Sequence, residues 1–397
     1  MSGLLTIEDA RSRILERARL LPTEIVAVAD AAGRVLREPA LARVDLPPFA
    51  SSAMDGFAVR ASETPGTLAV AYRIAAGETA PETLPPLTAA GIATGAAVPE
   101  GADAVVPVER VVDHGDRVEI PEAARLGQHV RPRGGDAREG DTTVAVGTRL
   151  GPAQIGALAA VGVGDVCCSV RPRVAVLATG SELRSAGEPL VHGQIYESNR
   201  AMIGAVLRSA GADVELLPVV KDDESAHRAA LERGLEADVL VSSGGVSMGP
   251  HDLVRRVAAD LGVEEVFWGV AVKPGKPLSF GVRGATLVFG LPGNPVSALV
   301  GSLVFVQPAL LRRQGVGEVE LDYDHGRTTA TLAQNPQRDE FVRARRRVRE
   351  TDVVLEPVSG QESHMIVRAA SADVLVHVPR GEGEIAAGEP VRFLSLA

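Results

Sequence analysis

Three short segments of the chain gather groups suited to holding a phosphate or another oxyanion. One runs from the apolar stretch Ala237–Val241 into Ser242-Ser243-Gly244-Gly245-Val246-Ser247 and on to Asp252. Glycines let backbone N–H groups approach a phosphate closely, and such a loop can form an anion nest. Asp252 is placed to cap a helix or to hold Mg²⁺. The second is Lys273-Pro274-Gly275-Lys276-Pro277, two ammonium groups on a backbone stiffened by prolines. The third is Leu291-Pro292-Gly293-Asn294-Pro295-Val296-Ser297. Asn294 suits a helix N-cap and Pro295 the first helical position, and a helix N-terminus attracts anions through free N–H groups and its dipole. Taken singly, each also reads as a tight turn, a solvated loop or a plain helix start. Together they put anion-friendly chemistry on three loops of one region.

Two further segments carry polar groups. Arg173–Ala178 is an apolar strand ending in Thr179-Gly180-Ser181-Glu182, and Gln194-Ile195-Tyr196-Glu197-Ser198-Asn199 precedes a helix. The run Phe341–Arg349 would place Arg343, Arg345, Arg347 and Arg349 on one face of a strand. It reads as a solvated face that deters edge pairing, with one arginine able to reach a ligand.

The elements that must position these groups follow from periodicity. Thr6-Ile7-Glu8-Asp9 resembles a capping box, and apolar residues from Ile7 to Leu21 recur at helical spacing before Pro22. A short helix is expected at Val28–Leu36. Residues 40–145 are rich in proline and glycine, with short apolar runs at Leu68–Ile74, Ala104–Val108, Val118–Ile120 and Thr143–Val146, which predicts a β-rich module. Pro152–Val161 reads as a helix returning to the first one. From Arg171 strands and helices alternate through to a helix at Asn294–Leu311, the pattern of an open α/β sheet whose ligands sit beyond the carboxyl ends of its strands. After Val319 short strands return, including Glu340–Arg349, Val353–Val358, Val374–Val378 and Pro390–Leu394, as in a small barrel or sandwich.

Composition sets limits. The chain has 397 residues, 45% of them hydrophobic, enough for several packed cores. A net charge of -10 argues against nucleic-acid binding by the whole molecule. The two cysteines, Cys167 and Cys168, are adjacent, which suits neither a disulfide nor a metal site. The N-terminus lacks a signal-peptide pattern, and the apolar run Val296–Val306 is too short to span a bilayer, so a cytoplasmic protein away from membranes is expected.

Seven motifs occur in order: Ser52-Ala53-Met54-Asp55-Gly56-Phe57-Ala58, Ala93-Thr94-Gly95-Ala96, Arg131-Pro132-Arg133-Gly134-Gly135-Asp136, Thr179-Gly180-Ser181-Glu182-Leu183, Ser242-Ser243-Gly244-Gly245-Val246-Ser247, Lys273-Pro274-Gly275-Lys276-Pro277 and Leu291-Pro292-Gly293-Asn294-Pro295. In this the chain resembles the molybdopterin molybdenumtransferases, the MoeA-like molybdenum insertases that include the E domain of gephyrin. The resemblance implies a multidomain α/β plus β fold in four parts. These are a helical stalk (residues 1–45 and 146–170), an inserted β-rich domain (46–145), an α/β molybdopterin-binding domain (171–316) and a C-terminal β barrel (317–397). It also implies a homodimer with its site at a cleft between subunits.

The implied reaction inserts molybdate into adenylylated molybdopterin with Mg²⁺-dependent release of AMP. A non-catalytic scaffold of the gephyrin kind is the alternative. Carried over residue by residue, Lys276, Pro277, Ser297, Arg343 and Ser363 would form or flank the molybdate pocket. Asp55, Thr94, Arg131, Asp136, Glu182, Asp222, Asp252 and Lys273 would bind or process the nucleotide-linked pterin. Ser243, Gly244, Gly245, Ser247, Pro292, Asn294 and Pro295 would line the substrate site, and Asp252, Glu182 and Asp222 would hold the metal. The molybdopterin adenylyltransferase and molybdoenzyme chaperones are the implied protein partners. Three positions depart from the family pattern: Phe57 in place of the common tyrosine, Gly269 where some members carry a lysine, and Glu362 in place of a glycine.

Overall fold

The computed structural model describes residues 4–245, 253–349 and 352–396. The chain forms two compact units. Residues up to Glu24, Gly33–Val35 and everything from Ser169 make the main unit, while Ile25–Ala32 and Leu36–Cys168 make the insertion unit.

The insertion unit is built on a six-stranded sheet. Its strands are β1 (Gly56–Val59), β2 (Gly66–Ile74), β3 (Thr88–Ile92), β4 (Ala104–Pro107), β5 (Val112–Asp113) and β6 (Arg117–Ile120), in the order β4-β1-β3-β2-β6-β5. Alternation along each strand serves two cores. Phe57, Val59, Leu68 and Val118 pack on one face, and Ala58, Ile74, Ala90 and Val105 on the other. A third cluster gathers Val28, Leu36, Leu150 and Leu158.

In the main unit β7 (Arg173–Ala178), β8 (Asp213–Leu216), β9 (Val239–Ser243), β10 (Glu264–Trp268), β12 (Ser279–Arg283) and β13 (Thr286–Leu291) form a sheet ordered β8-β7-β9-β13-β12-β10. The first four strands run parallel and the last two antiparallel. The short strand β11 (Val272–Lys273) leaves this sheet and pairs in parallel with β15 (Asp339–Arg349). With β14 (Asp324–Thr328), β16 (Asp352–Pro357), β17 (Val374–Val378) and β18 (Pro390–Ser395), β15 makes a five-stranded barrel closed by the β15–β17 pairing. Closure leaves no free edge among these five strands, and β11 is added outside the ring.

The helices among the described residues are α1 (Ile7–Leu15), α2 (Pro152–Ala160), α3 (Asn199–Ser209), α4 (Glu224–Gly234), α5 (Leu253–Asp260), α6 (Pro295–Gly301), α7 (Gln307–Gln314) and the single turn α8 (Ile366–Ala369). The Thr6 hydroxyl accepts the Asp9 N–H at 2.9 Å, so the expected cap is present. Helices α6 and α7 join through a π-helical turn, Ser302–Val306. The joined run, Pro295–Gln314, has the length and apolarity of a membrane span, but 67% of it is buried inside the fold, as in a core helix.

Several element expectations need correction. The first helix ends at Leu15, not Leu21, because the Leu21 N–H is taken by the Arg313 carbonyl at 2.8 Å. Val28–Leu36 yields one 3₁₀ turn, Val28–Asp30. The helix Pro152–Ala160 packs within the insertion unit. α1 buries Ile7, Ala10 and Ile14 in the α/β core, whereas α2 buries Leu158 among Val28, Leu36 and Leu150. Stalk-like helical character in the segments 1–45 and 146–170 is therefore limited to two nine-residue helices serving different cores.

Candidate functional site

The carboxyl ends of β7, β9 and β13 open into a cleft of about 710 Å³. Its floor is made by Gly244, Gly245, Pro292, Gly293 and Asn294, and Glu182, Asp222, Pro277 and Pro295 also line it. This is where an open α/β sheet places ligands.

Local chemistry shapes the floor. Gly244 and Gly245 have φ of 91° and 66°, a conformation that side chains disfavour. A Cβ on Gly244 would lie 2.8 Å from the Thr179 carbonyl oxygen, and one on Gly245 would lie 2.6 Å from Val254. The loop therefore needs glycine twice, for conformation and for space. Ser243 is fully buried; its hydroxyl accepts from Asn199 Nδ2 at 2.8 Å and donates to the Pro292 carbonyl at 3.2 Å. Asn199 also donates to the Gly293 carbonyl at 2.7 Å. Ser243 thus braces two loops together, and Asn199, visible in the sequence only as a residue before a helix, is the second half of the brace.

At the first turn of α6, Asn294 Nδ2 donates to Ser363 Oγ at 2.7 Å and the Val296 N–H donates to the Ser363 carbonyl at 3.0 Å. Ser297 is buried, and its carbonyl lies against Gly275 of the lysine loop. Ser363 is thus bonded to Asn294 and Val296, and Ser297 abuts Gly275 of the Lys273–Pro277 segment.

Arg343 lies beside this group, on β15 of the barrel, with its guanidinium turned to the loop that carries Ser363. Its side chain is 1% exposed, and its guanidinium donates to the carbonyls of Met365 (2.8 Å), Gly360 (2.8 Å) and Glu362 (3.2 Å) and to Gln361 Oε1 (3.3 Å). Gln361 Oε1 also accepts the Arg343 N–H, and Gln361 Nε2 donates to the carbonyls of Arg343 and Val358. Burial lowers the Arg343 pKa, while the nearby Glu362 carboxylate raises it. The arginine holds the loop that carries Ser363; four of its donors are committed to that loop. Gln361 is a positioning residue; the segment Gln361-Glu362-Ser363-His364 resembles a family motif, but the sequence does not show that its amide satisfies both partners.

The two lysines point to different surroundings. Lys273 Nζ lies 2.9 Å from Glu340 Oε1 of β15, its register partner across the β11–β15 pairing. Lys276 is exposed. Asp222 Oδ2 accepts the Ser181 N–H (3.1 Å) and the Ser181 hydroxyl accepts the Asp222 N–H (3.0 Å), which fixes Asp222 beside the loop bearing Glu182. Ser247 and Asp252 lie outside the described residues. Among the described residues no group of three or more His, Cys, Asp or Glu is arranged to hold a metal.

The insertion unit gathers a second group. Asp55 Oδ1 accepts the Thr94 N–H at 2.6 Å, and this bond, with the Thr94 hydroxyl, holds the Asp55 carboxyl below its usual pKa. Arg131 is registered against Ser51 in a two-residue strand pairing, and the Asp136 N–H donates to the Leu46 carbonyl at 2.9 Å. All four side chains are exposed.

The three departures also find their places. Phe57 is buried in the sheet core, with the Arg73 guanidinium 5.4 Å from its ring centroid, so the position faces packing. Gly269 has φ of 88°, and a Cβ there would meet Leu4 at 2.8 Å. Glu362 lends its carbonyl to Arg343.

Comparison with known proteins agrees with this geometry. The chain matches the models of the "MoeA N-terminal region (domain I and II)" over residues 5–162, the "Probable molybdopterin binding domain" over 175–312 and the "MoeA C-terminal region (domain IV)" over 325–396. It is 37% identical to molybdopterin molybdenumtransferase 2 of Mycobacterium tuberculosis, covering 98% of this chain and 99% of that protein. It is 34% identical to the molybdopterin molybdenumtransferase of Haemophilus influenzae, covering 98% of each. A solved molybdopterin biosynthesis MoeA protein of Pyrococcus horikoshii superimposes with a TM-score of 0.84 at 27% identity, over 99% of this chain and 100% of the other. Another structure of a MoeA protein from that organism gives 0.80 at 31% identity over the full length of both chains. The chain belongs to the molybdopterin molybdenumtransferase family, transferases of molybdenum cofactor biosynthesis.

Proposed function

We propose that this chain inserts molybdate into adenylylated molybdopterin, with Mg²⁺-dependent hydrolysis of the phosphoanhydride and release of AMP. The observation that carries the reading is the cleft itself: a double-glycine loop, a helix N-terminus and two carboxylates share one opening. The Gly244-Gly245 loop takes the phosphates with the Gly245 N–H and the Ser247 hydroxyl as donors, while the Gly244 N–H, given to the Leu291 carbonyl at 3.0 Å, anchors the loop. Lys276, Pro277, Ser297 and Ser363 surround the divalent oxyanion, and Arg343 keeps Ser363 in place. Asp55, Thr94, Arg131, Asp136, Lys273 and Asp252 bind or process the nucleotide-linked pterin. Ser243, Pro292, Asn294 and Pro295 shape the floor.

The carboxylates fit Mg²⁺, a hard cation commonly held by one or two carboxylates together with substrate phosphates. Glu182 and Asp222 face the cleft, and Asp252 follows the glycine loop in sequence. When bound, Mg²⁺ supplies charge neutralisation at the pyrophosphate. Glu182, Asp222 and Asp252 would hold it, the glycine loop would seat the phosphoryl oxygens, and no side-chain nucleophile is required. The reading includes a cytoplasmic homodimer working between the molybdopterin adenylyltransferase and molybdoenzyme chaperones.

The test is AMP release by purified protein given adenylylated molybdopterin, Mg²⁺ and molybdate. Release should require all three. AMP release that ignores molybdate, or none at all, sinks the reading and leaves the scaffold alternative. Lys276→Ala should raise the molybdate concentration needed by roughly tenfold or more, the loss of one charge-assisted contact. Running tungstate beside molybdate measures the metal preference.

A further inference from the structure

We infer that Tyr196 is the ring-stacking, specificity-determining residue of the cleft, receiving a planar nitrogen heterocycle of the substrate on its exposed face. The inference rests on the function proposed above and adds the subsite that holds a ring.

The cleft floor is made of glycine backbone, Pro292 and Asn294, and among the described residues lining the cleft Tyr196 is the one with a six-membered aromatic ring. Ile195–Tyr196 pairs in parallel with Leu183–Arg184 as a small two-stranded flap, and Leu183, Ile195 and Tyr196 all line the opening. The Tyr196 hydroxyl donates to the Glu188 carbonyl at 2.8 Å, which fixes the ring while 47% of the residue stays exposed. The next residue is anchored too. The Glu197 carboxylate accepts from Arg200 Nε at 2.9 Å and from the Arg200 N–H at 2.8 Å, at the start of α3. An aromatic side chain held at both ends of its segment, yet half exposed at a ligand cleft, is a preformed platform.

Context makes the platform specific. The chain has only three tyrosines and 3% aromatic residues. Of the other two, Tyr323 is packed against His377 in the barrel and Tyr72 belongs to the insertion unit. Ligand sites combine apolar or aromatic walls with a few placed polar groups, and a planar heterocycle gains most from an aromatic face. A pterin and an adenine share that chemistry, and the proposed substrate carries both.

The experiment uses the full chain with Tyr196→Leu, Tyr196→Phe and Tyr196→Trp. AMP and a soluble pterin are titrated separately as probes, and AMP release is assayed in parallel. Tyr196→Leu should weaken binding of one probe by roughly tenfold and raise the substrate KM with kcat little changed, as loss of one stacking contact would do. Tyr196→Phe should stay within about threefold. Tyr196→Trp should bind at least as well as the natural chain, and its added fluorescence should be quenched by the same probe in a chain with one other tryptophan. The probe that responds identifies the ring. If neither titration changes in Tyr196→Leu and no quenching occurs in Tyr196→Trp, the inference is overturned. A natural chain that releases no AMP would instead overturn the proposed function, while the quenching experiment would still report on the platform.

Discussion

Arg343 shows what a single residue's surroundings decide. Its charge is legible in the sequence, and the family resemblance implies that it forms or flanks the oxyanion pocket. Its hydrogen bonds run to carbonyls between Gly360 and Met365, closed by the Gln361 amide. Gln361→Leu should cost about 1–3 kcal/mol in thermal or denaturant unfolding, since it strands buried groups. It should also raise the molybdate KM more than it lowers kcat, because Ser363 loses its support; an unchanged KM would count against the positioning role. Gly244→Ala belongs to the same scale. A left-handed conformation and a 2.8 Å approach to the Thr179 carbonyl predict destabilisation of about 1–3 kcal/mol and loss of phosphate-side binding, measured by AMP titration. Phe57 is buried against Arg73, and Gly269 has a left-handed conformation with Leu4 close by.

At the scale of elements, the barrel carries a buried titratable chain that periodicity could not show. Arg392 Nε–H donates to His377 Nδ1 at 2.9 Å, which leaves the His377 proton on Nε2, 3.1 Å from Asp339 Oδ1. Burial, then the positive charge of Arg392, lowers the His377 pKa from 6.5, against the opposing pull of Asp339. A group whose folded pKa is depressed binds more protons when unfolded, so its stabilising contribution is present above about pH 6.5 and is lost as pH falls. The melting temperature should therefore drop on acidification from pH 7 to 5, and His377→Gln should flatten that drop. Tyr323, beside it, is pushed up to about 12 by burial, so its contribution is full below about pH 10 and fades toward 12. Asp339 opens β15, which pairs with β11 and so ties the lysine loop to the barrel. Strands β7, β9, β13, β15 and β17 were readable from apolar runs. β10 and β12, the antiparallel edge of the α/β sheet, were not, since Glu264-Glu265 and Gly281 break the pattern that marks a buried strand.

For the whole molecule, separate cores predict separate unfolding. The insertion unit has three apolar clusters and the main unit three others. Calorimetry should resolve more than one transition, or a calorimetric enthalpy exceeding the van't Hoff value; a single two-state transition would contradict it. The net charge of -10 predicts no retardation of duplex DNA at physiological salt. The sequence by itself determined the α/β alternation, the β-rich insertion, the family and the three anion-friendly loops. These depend on residue type and short-range spacing, which set local backbone preference and binary pattern. Only the tertiary structure decided that Ser243 is a brace, that Arg343 supports Ser363, that Lys273 faces Glu340 and that Tyr196 stands at the cleft. Those roles are contacts between residues far apart in the chain, and a side chain's chemistry is fixed by the partners that folding brings to it.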